Sequence, residues 1–133
     1  MSAGDVLIAL AETAVVLWFE DERLRFRAPI GAVTEELRAR VVACRPALIV
    51  LLRAGAMRPR EVADWSQDDR LERLEREGIL EFEGGLDHEV AERESERLAR
   101  LEHVRAFVAR NAVVTPDAAV ATARLGSGPY RRP

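Results

Sequence analysis

Arg23, Arg25 and Arg27 alternate with Leu24, Phe26 and Ala28, so three guanidinium groups fall within five residues. Alternation of this kind on an extended chain sends the arginines to one face and the apolar residues to the other. Guanidinium rows recognise carboxylates, because each planar fork can make two parallel hydrogen bonds to one acid group. The other groups with chemical potential fall short of a site. His88-Glu89-Val90-Ala91-Glu92 begins like a zinc-protease helix, which needs a second histidine four positions on, and Glu92 occupies that place. His103 lies about four helical turns further along and cannot close a site within the same helix. Cys44 has no histidine near it and is expected to pack as a small hydrophobe between two helices. A single cysteine also excludes an internal disulfide and a cysteine metal cluster. The carboxylates from Glu89 to Glu102 alternate with arginines, which reads as a salt-paired surface. Gly84-Gly85 lacks the lysine and hydroxyl of a phosphate loop. The expectation is therefore no catalytic residues, no metal, no cofactor and no enzyme.

The elements that must carry the arginine row are short. Val6, Leu7 and Leu10 share one side of an N-terminal helix over roughly 4–13. The period then changes to two: Val15, Leu17 and Phe19 face one way, Val16, Trp18 and Glu20 the other. Alternation resumes after Asp21-Glu22, which predicts an antiparallel hairpin with an apolar face and an arginine face. Asp-Glu is a poor two-residue turn, since the tight hairpin turn needs positive φ at both positions. Pro29 ends the ladder, and Thr34 with Glu35 and Glu36 opens a helix. Pro46 suits the first turn of another, carrying Leu48, Ile49, Leu51 and Leu52. The order is helix, strand, strand, helix, helix over residues 1–53.

Residues 54–65, with Gly55 and Pro59, read as a linker. A helical segment is expected over 66–124. Ser66 caps its first helix, on which Leu71, Leu74, Ile79 and Phe82 fall near one face. Gly84-Gly85 ends that helix. The longest helix, roughly 88–110, carries Val90, Ala91, Leu98, Leu101, Val104 and Val108 in line. Thr115-Pro116-Asp117 opens a last short helix, and 125–133 reads as a disordered tail. The fold class is α+β, mostly α. Trp65 is expected to anchor the linker against the helical half.

Composition narrows the function classes. The chain has 133 residues, a formal net charge of -3 and 48% apolar residues. All twenty basic residues are arginine. A net negative chain is not the basic body of a non-specific nucleic-acid binder. No apolar run approaches the roughly 20 residues of a membrane span, and Met1 to Asp5 lacks the basic flank of a secretion signal. A cytoplasmic protein is the expectation.

The first half resembles the N-terminal docking domains of the TubC type, which precede bacterial hybrid peptide and polyketide synthetases. The residues carrying the resemblance are Ala14-Val15-Val16-Leu17-Trp18-Phe19-Glu20, Leu24-Arg25-Phe26-Arg27-Ala28-Pro29, Gly31-Ala32-Val33-Thr34-Glu35-Glu36-Leu37 and the run Leu48 to Leu52. The resemblance implies a helix–hairpin–two-helix module whose second strand accepts a short acidic segment of a partner protein by strand addition. It places Trp18, Arg23, Arg25, Phe26 and Arg27 at the partner site. The family's turn glycine is replaced by Asp21 or Glu22. The stretch Ile79 to Leu86 resembles small proteins of bacterial mobile elements and phage.

Two functions follow as expectations. One is a non-catalytic docking or adaptor protein for an acidic protein or peptide segment, with a homodimer as a further possibility. The other is a nucleic-acid accessory factor of a mobile element, with the arginines, Trp18 and Phe26 as a basic-aromatic platform. A plainer reading stands beside both: charges on an edge strand also keep sheets from pairing wrongly.

Overall fold

The computed structural model describes residues 1–114, with side chains to Asn111, so the helix expected after Thr115 and the 125–133 tail lie outside the described residues. The elements are α1 (Ala3–Glu12), β1 (Val16–Glu20), β2 (Arg23–Arg27), α2 (Glu35–Ala43), α3 (Arg45–Arg53), a 3-10 turn (Val62–Asp64), α4 (Gln67–Phe82) and α5 (His88–Val114). The mostly helical α+β class and the α-β-β-α-α order of the first half are as the sequence predicts.

Local chemistry sets each boundary. Ser2 caps α1 by accepting from the Asp5 amide, while the Asp5 carboxylate accepts from the Ser2 amide, a reciprocal capping box. The helix ends with Ala14 in the left-handed region, φ 64°, and the Val15 amide donates back to the Leu10 carbonyl at 2.9 Å. That closure turns the chain directly into β1. Thr34 and Ser66 cap α2 and α4 through their hydroxyls, and Pro46 sits in the first turn of α3.

The two strands pair antiparallel, with Trp18 opposite Arg25 and Leu17 opposite Phe26. One sheet face therefore carries Leu17, Phe19, Leu24 and Phe26. The other carries Val16, Trp18 and Glu20 with the three arginines. The core lies against the first of these: Leu7, Leu10, Val15, Leu17 and Leu48 pack together with Leu101, Val104 and Phe107 of α5. The long helix thus closes the core begun by α1. Gly4 permits the close crossing of α1 and α5, since a Cβ there would meet the Val108 side chain at 3.0 Å.

The segment after α3 is tied down. Arg100, only 7% exposed, donates to the carbonyls of Pro59 and Arg60 at 3.0 and 2.8 Å. Trp65 is buried between the guanidiniums of Arg58 and Arg100 and donates its indole N–H to Pro59. It holds the 54–65 segment against the long helix.

Helix α4 lies against α5 with its polar side inward. Arg73 donates to Glu77 and to the fully buried Ser95, each at 3.0 Å. Arg76 donates to both Glu102 oxygens. The apolar stripe of α4 points the other way, and Leu71, Leu74, Ile79 and Phe82 are all exposed.

Candidate functional site

β2, like β1, is an edge strand of the two-stranded sheet. Its one strand neighbour is β1. Among the described residues no backbone or side-chain group bonds to the main chain of Arg23 to Arg27 from the outer side. An unpaired strand edge offers a row of N–H and C=O groups that another chain can pair with. The hairpin reaches this geometry against local preference: Asp21 and Glu22 both hold positive φ, 52° and 65°, where glycine is the easy occupant.

Beside that edge lies an apolar groove. Leu24 and Phe26 of β2, Leu17 of β1, and Val33, Val41 and Val42 from the α2 side line a cavity of about 210 Å³. Pockets for small molecules run to roughly 300–1,000 Å³, so this one suits side chains of a docked segment better than a cofactor. Phe26 is 45% and Val42 67% exposed, which leaves the groove floor open to solvent. Arg38 and Arg45 stand at its rim. The Arg38 guanidinium lies 5.8 Å from the Phe26 ring centre, and Arg45 donates to the Glu22 carbonyl at 3.4 Å.

The expected partner-binding residues divide between the two sheet faces. Trp18, Arg23, Arg25 and Arg27 share one face, while Phe26 lies on the groove face. The register therefore puts Phe26 behind the arginines, away from Trp18. The arginine face also meets its own chain. Arg60 covers the Trp18 ring at 4.7 Å and approaches Glu20 at 3.9 Å. Arg27 reaches Glu61 at 3.7 Å and the Arg60 carbonyl at 3.3 Å; Arg25 reaches Glu20 at 3.4 Å. These are long contacts between groups about half exposed, a class that contributes on the order of 0–1 kcal/mol. Arg23 makes no ion pair among the described residues.

Arg38, Val42 and Arg45 join the groove without having been marked by the sequence reading. One signal was available: Arg38 and Val42 are spaced i, i+4 on α2, next to Leu37 and Val41, which pack on the core. Arg60 falls in the expected linker, and nothing in its neighbours marks it as the cover of Trp18.

Glu77, Glu81 and His88 are the described side chains that could hold a metal ion, with three ligand atoms within 4.8 Å of one another. Their chemistry is already satisfied internally. The His88 Nδ1 contacts Glu81 at 2.8 Å and Glu77 at 3.5 Å, and Arg73 neutralises Glu77. The hydrogen bond with Glu81, then the nearby Glu81 and Glu77 charges, raise the His88 pKa above the usual histidine value. The trio is an ionic clasp across the α4–α5 turn. No helix among the described residues is long and apolar enough to cross a membrane.

No curated protein and no solved structure matches the chain. Residues 5–54 match the family model of the TubC N-terminal docking domain, which spans α1 to α3 and the groove, and to which this part of the chain is similar.

Proposed function

We propose that this chain is a non-catalytic docking or adaptor protein, and that its hairpin module binds an acidic, extended segment of a partner protein. The observation carrying the reading is the unpaired β2 edge lying alongside an apolar groove with arginines on both flanks. A guest strand added to that edge would gain main-chain hydrogen bonds. Alternate side chains would enter the groove over Leu24 and Phe26, while the opposite row met Arg23, Arg25 and Arg27. Arg38 and Arg45 supply positive charge on the groove side. The match of residues 5–54 to a docking-domain family supports the same role.

The test is a selection from a displayed library of random linear peptides, followed by fluorescence-polarisation titration of the winners. Selected peptides are expected to be rich in Asp and Glu with apolar residues at alternate positions. Charge reversal by Arg25→Glu with Arg27→Glu is expected to weaken binding by ~10-fold or more, since each lost charge-assisted hydrogen bond is worth about 1.5–3 kcal/mol. Far-UV dichroism should not change. Unaltered affinity in the double variant removes the arginine face from the mechanism.

A further inference from the structure

The exposed stripe of α4 has no counterpart to cover it among the described elements. An amphipathic helix ordinarily turns its apolar side to the core, yet here Glu77 is 8% exposed while Phe82 is 84% exposed. Leu71, Leu74, Ile79 and Phe82 recur at helical spacing on the outer side. Gly78 lies among them, with nothing within 4 Å of where a Cβ would stand. Exposed apolar side chains gathered on one side of a helix mark a contact surface.

Charge decides what would cover it. Helix α4 holds six carboxylates against three arginines, and Arg73 and Arg76 turn inward onto Glu77, Ser95 and Glu102. The outward side is left with exposed Asp68, Glu72 and Glu75 against Arg70. An apolar strip framed by carboxylates fits an apolar surface framed by cations. The same chain presents one: the groove over Phe26 and Val42 is rimmed by Arg38 and Arg45. Helix α4 packs on α5, away from the groove of its own chain.

We propose that a second copy of this chain covers the stripe: α4 of one molecule docks on the arginine-rimmed groove of another, head to tail. The inference rests on the groove being a docking surface. It makes α4 an acidic competitor for the site that would otherwise take a partner segment, so self-association and partner binding exclude each other. A contact between two different surfaces does not close on itself and can extend into a chain of molecules.

Two exposed-surface variants test this by complementation. A groove variant, Arg38→Glu with Arg45→Glu, keeps its stripe. A stripe variant, Leu74→Asp with Phe82→Asp, keeps its groove. Sedimentation velocity of the wild-type chain is expected to show mass above the monomer, rising with concentration and falling with salt. Each variant alone should be monomeric, and an equal mixture should restore a dimer, because one supplies the stripe and the other the groove. Matching far-UV spectra and melting temperatures show that both variants fold. A wild-type chain that stays monomeric overturns the inference, as does a groove variant that still associates or a mixture that stays monomeric. The selected acidic peptides separate this from the docking reading. Binding of those peptides by the stripe variant upholds the groove as a docking surface whatever the association experiment gives. Loss of that binding in the stripe variant counts against the groove reading itself.

Discussion

Ala14, Asp21 and Glu22 all hold positive φ, a region that costs an L residue about 1–2 kcal/mol over glycine. Ala14 follows the last turn of α1 and lets the Val15 amide close back on Leu10; Gly55 performs the same service after α3 with φ 91°. Ala14→Gly is therefore expected to raise stability by about 1 kcal/mol, read as a higher midpoint in urea with unchanged slope. The turn's weakness was legible from Glu22, which lacks the tolerance of the left-handed region that Asp has and glycine has in full. The strain at Ala14 was not, because alanine in a sequence reads as helix continuing. What forces it is tertiary: Val15 must leave the helix and enter the core at once.

Elements fail or hold here through charge as much as through apolar packing. Segment 58–61 is strapped to α5 by Arg100, whose guanidinium reaches Pro59, Arg60 and Glu96 from a buried position. Arg100→Met takes one of two donors from each of the Pro59 and Arg60 carbonyls, which keep Trp65 and Arg27, and takes the cation from Glu96, a loss expected to cost about 1–3 kcal/mol. Hydrogen exchange should speed up across residues 57–65 first, and the Arg60 cover over Trp18 should loosen with it. The α4–α5 turn depends on pH through His88. Its raised pKa means that the protonated ring binds Glu81 and Glu77 better in the folded chain than in the unfolded one. That stabilisation is complete below the free-histidine value of about 6.5 and is lost as pH rises through the higher folded value. Glu92 on α5 acts in the same direction, as the smallest of the charges that favour the protonated ring. His88→Ala is expected to flatten the decline in thermal midpoint between neutral and mildly alkaline pH. Caps at Thr34 and Ser66 could be read from sequence because they are local. The orientation of α4 could not, because its stripe of Leu71, Leu74, Ile79 and Phe82 has the periodicity of a core-facing helix. Its rotation is set by Ser95 and Glu102 on another helix, more than twenty residues along the chain.

At the scale of the whole molecule, α5 decides whether the hairpin half keeps its shape. The groove rests on Leu10, Val15 and Leu17, and those residues share one core with Leu101, Val104 and Phe107. The apolar line Leu98, Leu101, Val104 and Val108 was visible in the sequence. What it packs on was not: the Glu12–Arg105 ion pair at 3.0 Å joins α1 to α5 across 93 positions, and no local pattern encodes such a contact. Leu101 is 5% exposed, so Leu101→Ala should cost about 2–5 kcal/mol by lost burial and the cavity left behind. If α5 only decorated a self-sufficient module, that substitution would lower the midpoint of a second transition and leave peptide binding at the hairpin unchanged. With a shared core, the chain melts as one unit, and the variant should lose peptide binding at the temperature where helicity falls. The decisive comparison is a fragment ending at residue 54. Without α5, Leu7 and Leu10 lose their cover from Leu101, Val104 and Phe107, and the fragment should bind a hydrophobic dye and melt without a sharp transition. A fragment that melts cooperatively and binds the selected peptides as tightly as the full chain would show that α1 to α3 hold the groove unaided.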